Sequence, residues 1–144
     1  MDKLILFVAA DRVGLSVIRC SDTRVEKVLA RAVSVSAQNI RVIDAVDLDR
    51  SFRDAWEDDG GGVKVNMAKA RAIHLDRLRE RRLRVLEGLD VDWMKALGQK
   101  NQTLVDQIEA KRQVLRDMPV LVKSELDSAV TPEMLKLVMP ESLK

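Results

Sequence analysis

The feature that most constrains this chain is the stretch 68–97, which contains no proline and a single glycine. Its apolar residues recur at steps of three and four, the spacing of a buried stripe on an α-helix: Leu75, Leu78, Val85, Leu86, Leu89, Trp93 and Leu97. Residues 98–101 predict a turn, and a second helix follows over 102–118, which we expect Pro119 to end. Because the connection is short, the two helices are predicted to form an antiparallel hairpin.

The second helix carries a narrow apolar seam suited to packing along one neighbouring helix. The seam residues recur at steps of four and three: Leu104, Ile108, Lys111, Leu115 and Met118. Leu83, Trp93 and Val105 then fall outside the seam. The hairpin is therefore expected to expose an apolar strip beside charged residues, which is what a partner-binding helix needs.

The first part of the chain has strand patterns instead. The apolar run 4–10 and the segment 15–20 predict a β-hairpin, and apolar residues around 40–46 predict a third strand. Between them, Val25, Val28, Leu29 and Ala32 fall on one helical face. The glycine triplet 60–62 predicts a turn, because glycine adopts positive φ at little steric cost.

These patterns together predict an α+β protein. A small N-terminal α/β domain with short strands is expected over 1–67, followed by the helical hairpin and a short C-terminal helix over 68–144. The short helix is predicted to begin at Thr131-Pro132, since threonine caps helices and proline suits the first helical position. Residues 120–130 show no regular pattern.

Composition and motifs argue against an enzyme. The only histidine, His74, and the only cysteine, Cys20, lie in different predicted elements and lack any metal-ligand spacing. The carboxylate pairs at 58–59 and at 90 and 92 fit an exposed turn and a polar helix face better than an acid/base pair. We therefore expect no catalytic residue, no cofactor and no metal. The run 4–10 is too short to span a membrane, so no membrane association is expected.

A dense basic patch lies on the first long helix: Arg77, Arg79, Arg81, Arg82 and Arg84. It allows three interpretations, which are a solvated helix face, a contact with a protein, and a contact with nucleic acid. Nucleic acid is the least favoured, because the net charge is only +2 and no aromatic residue is interleaved for base stacking.

Two segments resemble a known family. Residues 112–119 read Arg-Gln-Val-Leu-Arg-Asp-Met-Pro, and residues 84–93 end in an aspartate–tryptophan step. Phage tail assembly chaperones, also called tail fibre assembly proteins, are similar: their second helix ends in Arg-Gln-x-Leu-Arg-Asp-φ-Pro, and 112–119 matches every fixed position. The chain departs from the family at Val91, where the chaperones typically have threonine or serine.

Two upstream segments are similar to small phage and prophage tail proteins. They are 51–56, Ser-Phe-Arg-Asp-Ala-Trp, and 67–74, which includes Lys-Ala-Arg-Ala-Ile-His. The resemblance covers roughly residues 50–140, whereas the first 47 residues match no family pattern. It implies a phage origin and leaves open whether the chain acts only in assembly or stays in the tail.

The resemblance implies a non-enzymatic bacteriophage tail protein that acts by protein–protein contact. It would be a tail or tail-fibre assembly chaperone, or a component associated with the fibre or baseplate of the virion. The partner would be a tail fibre or baseplate protein, with a homo-oligomer as a further possibility, in the host cytoplasm during assembly or in the virion tail. The residues predicted to bind the partner are Arg77, Arg81, Arg84, Trp93, Arg112 and Arg116. The alternative is a nucleic-acid-binding regulatory module that uses the arginine-rich helix.

Overall fold

The computed structural model describes all residues from 1 to 144. Helices account for 60% of the chain and strands for 18%, with a small antiparallel sheet at the N-terminus followed by helices, so the predicted α+β class is confirmed. The chain divides into two compact units, Met1–Ala70 and Arg71–Lys144, which we call the N-terminal and C-terminal units. The sequence had suggested a boundary after residue 67.

The N-terminal unit is built on a three-stranded sheet. Strands β1 (Asp2–Val8), β2 (Ser16–Ser21) and β3 (Gln38–Asp44) lie in the order β2-β1-β3, and both outer strands are antiparallel to β1. Consequently β2 and β3 run in the same direction, and helix α1 (Val25–Ser34) makes the crossover between them. The predicted hairpin, helix and third strand are all present.

The central strand β1 is buried on both faces. Leu4 and Leu6 point to one side of the sheet and Ile5 and Phe7 to the other, and all four are almost fully buried. A strand covered on both faces reads as a continuous apolar run rather than an alternating one. This explains why the run 4–10 looks so apolar in sequence.

A second, smaller hairpin follows a 3₁₀ helix at Arg50–Ala55. Strands β4 (Trp56–Asp58) and β5 (Val63–Val65) are antiparallel and are joined by the glycine turn. Gly60 has φ +88°, which favours glycine. The Oδ1 atom of Asp59 accepts hydrogen bonds from the backbone N–H groups of Gly61 at 2.9 Å and Gly62 at 3.2 Å. Asp59 is an exposed turn residue, as expected, whereas Asp58 is only 16% exposed and forms an ion pair with Arg41 of β3 at 2.6 Å.

The C-terminal unit contains most of helix α2 (Met67–Gly98) and all of helix α3 (Gln102–Leu121). The turn between them is closed by two backbone hydrogen bonds, from Asn101 to Ala96 at 3.0 Å and from Lys100 to Leu97 at 2.9 Å. This is the Schellman arrangement, and Lys100 occupies its left-handed position with φ +55°. The Asn101 side chain also accepts from the N–H of Leu104 at 3.1 Å and caps α3.

The buried face of α3 differs from the predicted seam. Val105 and Ile108 are buried with Ala96, and Trp93 packs against this cluster. The prediction that Val105 and Trp93 lie outside the seam was therefore wrong. So was the inclusion of Lys111, which is exposed. An α-helix repeats every 3.6 residues rather than 3.5, so the buried face moves around the helix relative to a strict seam.

The chain also stays helical beyond Pro119, which the sequence had marked as the end of α3. The helix continues to Leu121, and α4 (Lys123–Ser128) follows. Pro119 removes one helical N–H donor. The helix nevertheless continues past it, and the N–H of Val122 bonds to the carbonyl of Met118 at 2.9 Å. The irregular segment expected over 120–130 is therefore largely helical.

The chain ends in two short helical pieces. Helix α5 (Pro132–Leu137) is capped as predicted, because the Thr131 hydroxyl accepts from the N–H of Met134 at 3.2 Å. A 3₁₀ turn at Glu141–Leu143 follows. None of the helices has the length and apolar character needed to cross a lipid bilayer.

The hairpin core generates the first prediction. Replacing Ile108 with alanine should lower the free energy of unfolding by about 2–5 kcal/mol, because the side chain is buried against α2 and leaves a cavity. Val114, on the exposed side of the same helix, is the matched control, and its replacement by alanine should change stability by less than about 0.5 kcal/mol. Urea unfolding followed by circular dichroism measures both. Equal losses for the two variants would contradict the packing described here.

Candidate partner-binding surface

One stripe of α2 holds the end of the chain in place. Arg71, His74, Leu78 and Arg81 recur at steps of three, four and three, so their side chains share one helix face. Leu78 is almost fully buried. The other three side chains reach backbone carbonyls of the segment 126–143.

Arg71 closes the C-terminal end of α4. Its Nε donates to the carbonyl of Leu126 at 3.0 Å and its Nη2 to the carbonyl of Ala129 at 2.9 Å. The last carbonyls of a helix have no intrahelical donor, and a cationic side chain near them is favourable. The planar guanidinium can donate to both at once. Arg71 therefore acts as a capping group supplied from a distant part of the chain.

His74 and Arg81 likewise bond to carbonyls at the ends of α5 and of the final 3₁₀ turn. The Nε2 atom of His74 lies 2.8 Å from the carbonyl oxygen of Val138, the residue directly after α5. Since a carbonyl only accepts, Nε2 must carry the proton. The Nε of Arg81 donates to the carbonyl of Leu143, in the final 3₁₀ turn, at 2.9 Å. The lone histidine thus has a structural hydrogen bond in a buried position.

A second group of charged side chains joins α2 to α3. The Nη2 of Arg112 lies 2.8 Å from Asp90, and its Nη1 lies 2.8 Å from Glu109. The guanidinium carbon is 5.3 Å from the centre of the Trp93 ring, a cation–π distance. With only 19% of its side chain exposed, Arg112 is largely enclosed by these contacts.

Glu109 receives a further arginine. The Nη1 of Arg116 donates to its Oε1 at 2.7 Å. This hydrogen bond, together with the nearby positive charges of Arg112 and Arg116, lowers the pKa of Glu109 below its ordinary value. Arg112 links the Asp90 carboxylate on α2 to the Glu109 carboxylate on α3, because it contacts both.

These contacts show where the predicted partner-binding residues lie. Trp93, Arg112 and Arg116 form internal contacts of the hairpin, and Arg81 holds the C-terminal turn. Arg77 and Arg84 are exposed on α2. The six residues do not form one common surface, because sequence spacing gives the helix face of each arginine but not the carbonyl or carboxylate that it reaches.

An apolar surface that the sequence identified only in part lies on another face of α2. Its exposed members are Leu83, Val91, Met94 and Leu97, which we call the α2 strip. Leu83, Met94 and Leu97 are separated by eleven and three residues, so they lie close together around the helix axis. Of these four, only Leu83 was predicted to lie outside the seam. The assignment of Leu97 to the buried stripe was wrong, because its side chain is 42% exposed. The spacing of Met94 and Leu97 from Leu83 was the signal that would have revealed the rest.

The capping role of Arg71 can be tested by stability. Replacing Arg71 with alanine should lower the free energy of unfolding by about 1–3 kcal/mol, because the Leu126 and Ala129 carbonyls lose their side-chain donors. Arg79 is the control on the same helix, since its ion pair with Asp76 is exposed, and its replacement by alanine should cost less than about 0.5 kcal/mol. Chemical unfolding of both variants measures the difference. A smaller loss for the Arg71 variant than for the Arg79 variant would refute the role.

The lowered pKa of Glu109 predicts a pH dependence. A carboxyl group whose pKa is lower in the folded state stabilises the fold above its unfolded value, and that stability disappears as the pH falls through the folded value. The variant Glu109→Gln should therefore be less stable than the parent at about pH 7, and the difference should shrink toward about pH 3. Urea midpoints at the two pH values measure this. A difference that does not depend on pH would contradict it.

Neither a metal-binding cluster nor a similar known protein assigns a function to this surface. The structure brings together no group of three or more histidine, cysteine, aspartate or glutamate side chains that could hold a metal ion. Comparison with known proteins finds no matching family, no similar curated protein and no similar solved structure.

Proposed function

We propose that this chain is a non-enzymatic bacteriophage tail protein that acts by protein–protein contact. It serves as a tail or tail-fibre assembly chaperone, or as a component associated with the fibre or baseplate of the virion. The observation that carries the proposal is the segment 112–119, which resembles the helix ending of the tail assembly chaperones at every fixed position. The similar segments 51–56 and 67–74 support it.

The internal contacts give this segment a physical reason to recur in such proteins. Arg112 and Arg116 hold Glu109, and Arg112 also contacts Asp90 and Trp93 on the other helix. The matched residues therefore support the hairpin rather than the partner contact. In this proposal they set the geometry of a scaffold whose partner surface lies elsewhere on α2.

The α2 strip is the surface we assign to the partner. Large exposed apolar side chains on one helix face are typical of a protein contact site. Charged residues around them, such as Glu87 and Arg84, would form a polar rim. The occupant in this proposal is a tail fibre or baseplate protein, with an apolar face that covers Leu83 and Met94.

The same contacts weigh against the nucleic-acid alternative. Arg81 donates to a backbone carbonyl, and Arg79 forms an ion pair with Asp76. Affinity for phosphates grows with the number of cations that are available to neutralise them. The arginine-rich stretch therefore offers fewer free cations than its sequence suggests.

The proposal predicts the effect of changing the strip. The double variant Leu83→Glu/Met94→Glu should lose capture of the tail fibre or baseplate protein from lysates of the phage that encodes this chain, while circular dichroism stays unchanged. The reason is that two buried charges would be left unpaired in the interface. Tagged protein with mass-spectrometric identification of the captured chain measures this.

The matched control is Val33→Glu in the N-terminal unit. Val33 and Met94 are both 65% exposed, so the two sites differ in location rather than in accessibility. The Val33 variant should capture the partner as the parent does. If Val33→Glu abolished capture of the partner and the double variant did not, the contact would lie in the N-terminal unit and the proposal would be wrong. Mass spectrometry of purified particles then separates the two roles, because only a virion component remains with them.

A further inference from the structure

The N-terminal unit has a cleft that the proposed function does not use. The loop 9–15, the strand β2 and the 3₁₀ helix Arg50–Ala55 enclose about 590 Å³, with Arg31 and Val35 contributing from the end of α1. Every lining residue belongs to the N-terminal unit. This volume is within the range of pockets that bind small ligands or short peptide segments.

The cleft carries a local excess of positive charge. Its basic side chains are Arg12, Arg31, Arg50 and Arg53, against the two carboxylates of Asp11 and Asp54. Only Arg53 has an ion-pair partner, Asp54, at 3.8 Å. The N-terminal unit as a whole has equal numbers of acidic and basic side chains, so the excess is a property of this cleft. Charge of one sign lining a cleft concentrates ligands of the opposite sign.

The cleft also has an apolar lining. Val17, on the Leu6 face of the sheet, and Phe7, on the opposite face, both border it, together with the buried Trp56. A ligand that satisfied the arginines with anionic groups could therefore cover these surfaces with apolar groups. The combination favours a peptide with acidic and apolar side chains over a simple inorganic anion.

The strand that borders the cleft has a free edge. In the order β2-β1-β3, strand β2 pairs on one side only. The N–H of Asp22 bonds to the carbonyl of Met1, and hydrogen-bonded pairs alternate along an antiparallel ladder. From the register, Ile18 bonds toward β1, so the N–H and C=O groups of Val17 and Arg19 point outward. Such an edge can receive another extended chain.

We propose that this cleft binds an extended acidic peptide segment of a partner protein. The segment adds as a strand to the outer edge of β2 and places its carboxylates against Arg12, Arg31 and Arg50. Backbone pairing supplies affinity and the arginines supply selectivity. Nucleic acid fits less well, because its backbone offers no N–H groups to a strand edge. The inference is independent of the α2 strip.

The test uses the full chain and a fluorescently labelled peptide of about eight residues that alternates glutamate and valine. Fluorescence anisotropy should show saturable binding. The double variant Arg31→Gln/Arg50→Gln should weaken it by about tenfold or more, because two charge-assisted contacts are lost. The control Arg24→Gln/Lys27→Gln removes the same charge from exposed sites of this unit that do not line the cleft, and it should bind as the parent does.

Two further peptides and one competitor make the result decisive. A peptide with lysine in place of glutamate should not bind, and one with every backbone amide N-methylated should lose binding because it has no N–H groups to donate to β2. Equal binding by the arginine and control variants would overturn the proposal, as would unimpaired binding of the N-methylated peptide. Tighter binding of a single-stranded oligonucleotide of equal charge at about 0.15 M salt would assign the cleft to nucleic acid instead.

Discussion

The C-terminal unit depends on hydrogen bonds from one face of α2 to backbone carbonyls near the end of the chain. Arg71, His74 and Arg81 donate to carbonyls at or near the C-terminal ends of three short helical pieces. Short helices are marginal on their own, because nucleation is costly and their terminal groups lack partners. A long helix that supplies donors at a fixed spacing removes part of that cost. These donors therefore help to hold the helical pieces at Lys123–Ser128, Pro132–Leu137 and Glu141–Leu143.

This constraint changes the meaning of the basic stretch on α2. Side chains that resemble a binding patch in sequence are partly occupied by internal contacts, and Arg112 on α3 is likewise enclosed by Asp90, Glu109 and Trp93. In our proposal, the surface of α2 that contacts a partner is apolar rather than basic. In the proposed tail protein, charged residues thus build the scaffold, and apolar residues of the α2 strip make the contact.

The sequence was sufficient where the structure depends on local periodicity. The β1–β2 hairpin, α1, β3, the glycine turn and the two long helices follow from apolar spacing and turn residues, and all are present. Prediction from the sequence failed where the local structure depends on side chains from distant parts of the chain. Helix α4 has no capping side chain at its start, and Arg71 closes its end from a distant part of the chain. The inward turn of Arg112 depends on Asp90 and Trp93, which no local pattern around Arg112 indicates.

The capping of the C-terminal segment by α2 is tested most directly by hydrogen–deuterium exchange of the full chain, read by mass spectrometry. We compare the parent with the double variant Arg71→Met/Arg81→Met, which keeps unbranched side chains but removes their N–H donors. The account predicts faster amide exchange over residues 123–143, with exchange over 102–115 unchanged, because only the capped helical pieces lose their donors. Unchanged exchange over 123–143 would contradict the capping of this segment by α2, and Arg71 and Arg81 would then be available to contact a ligand.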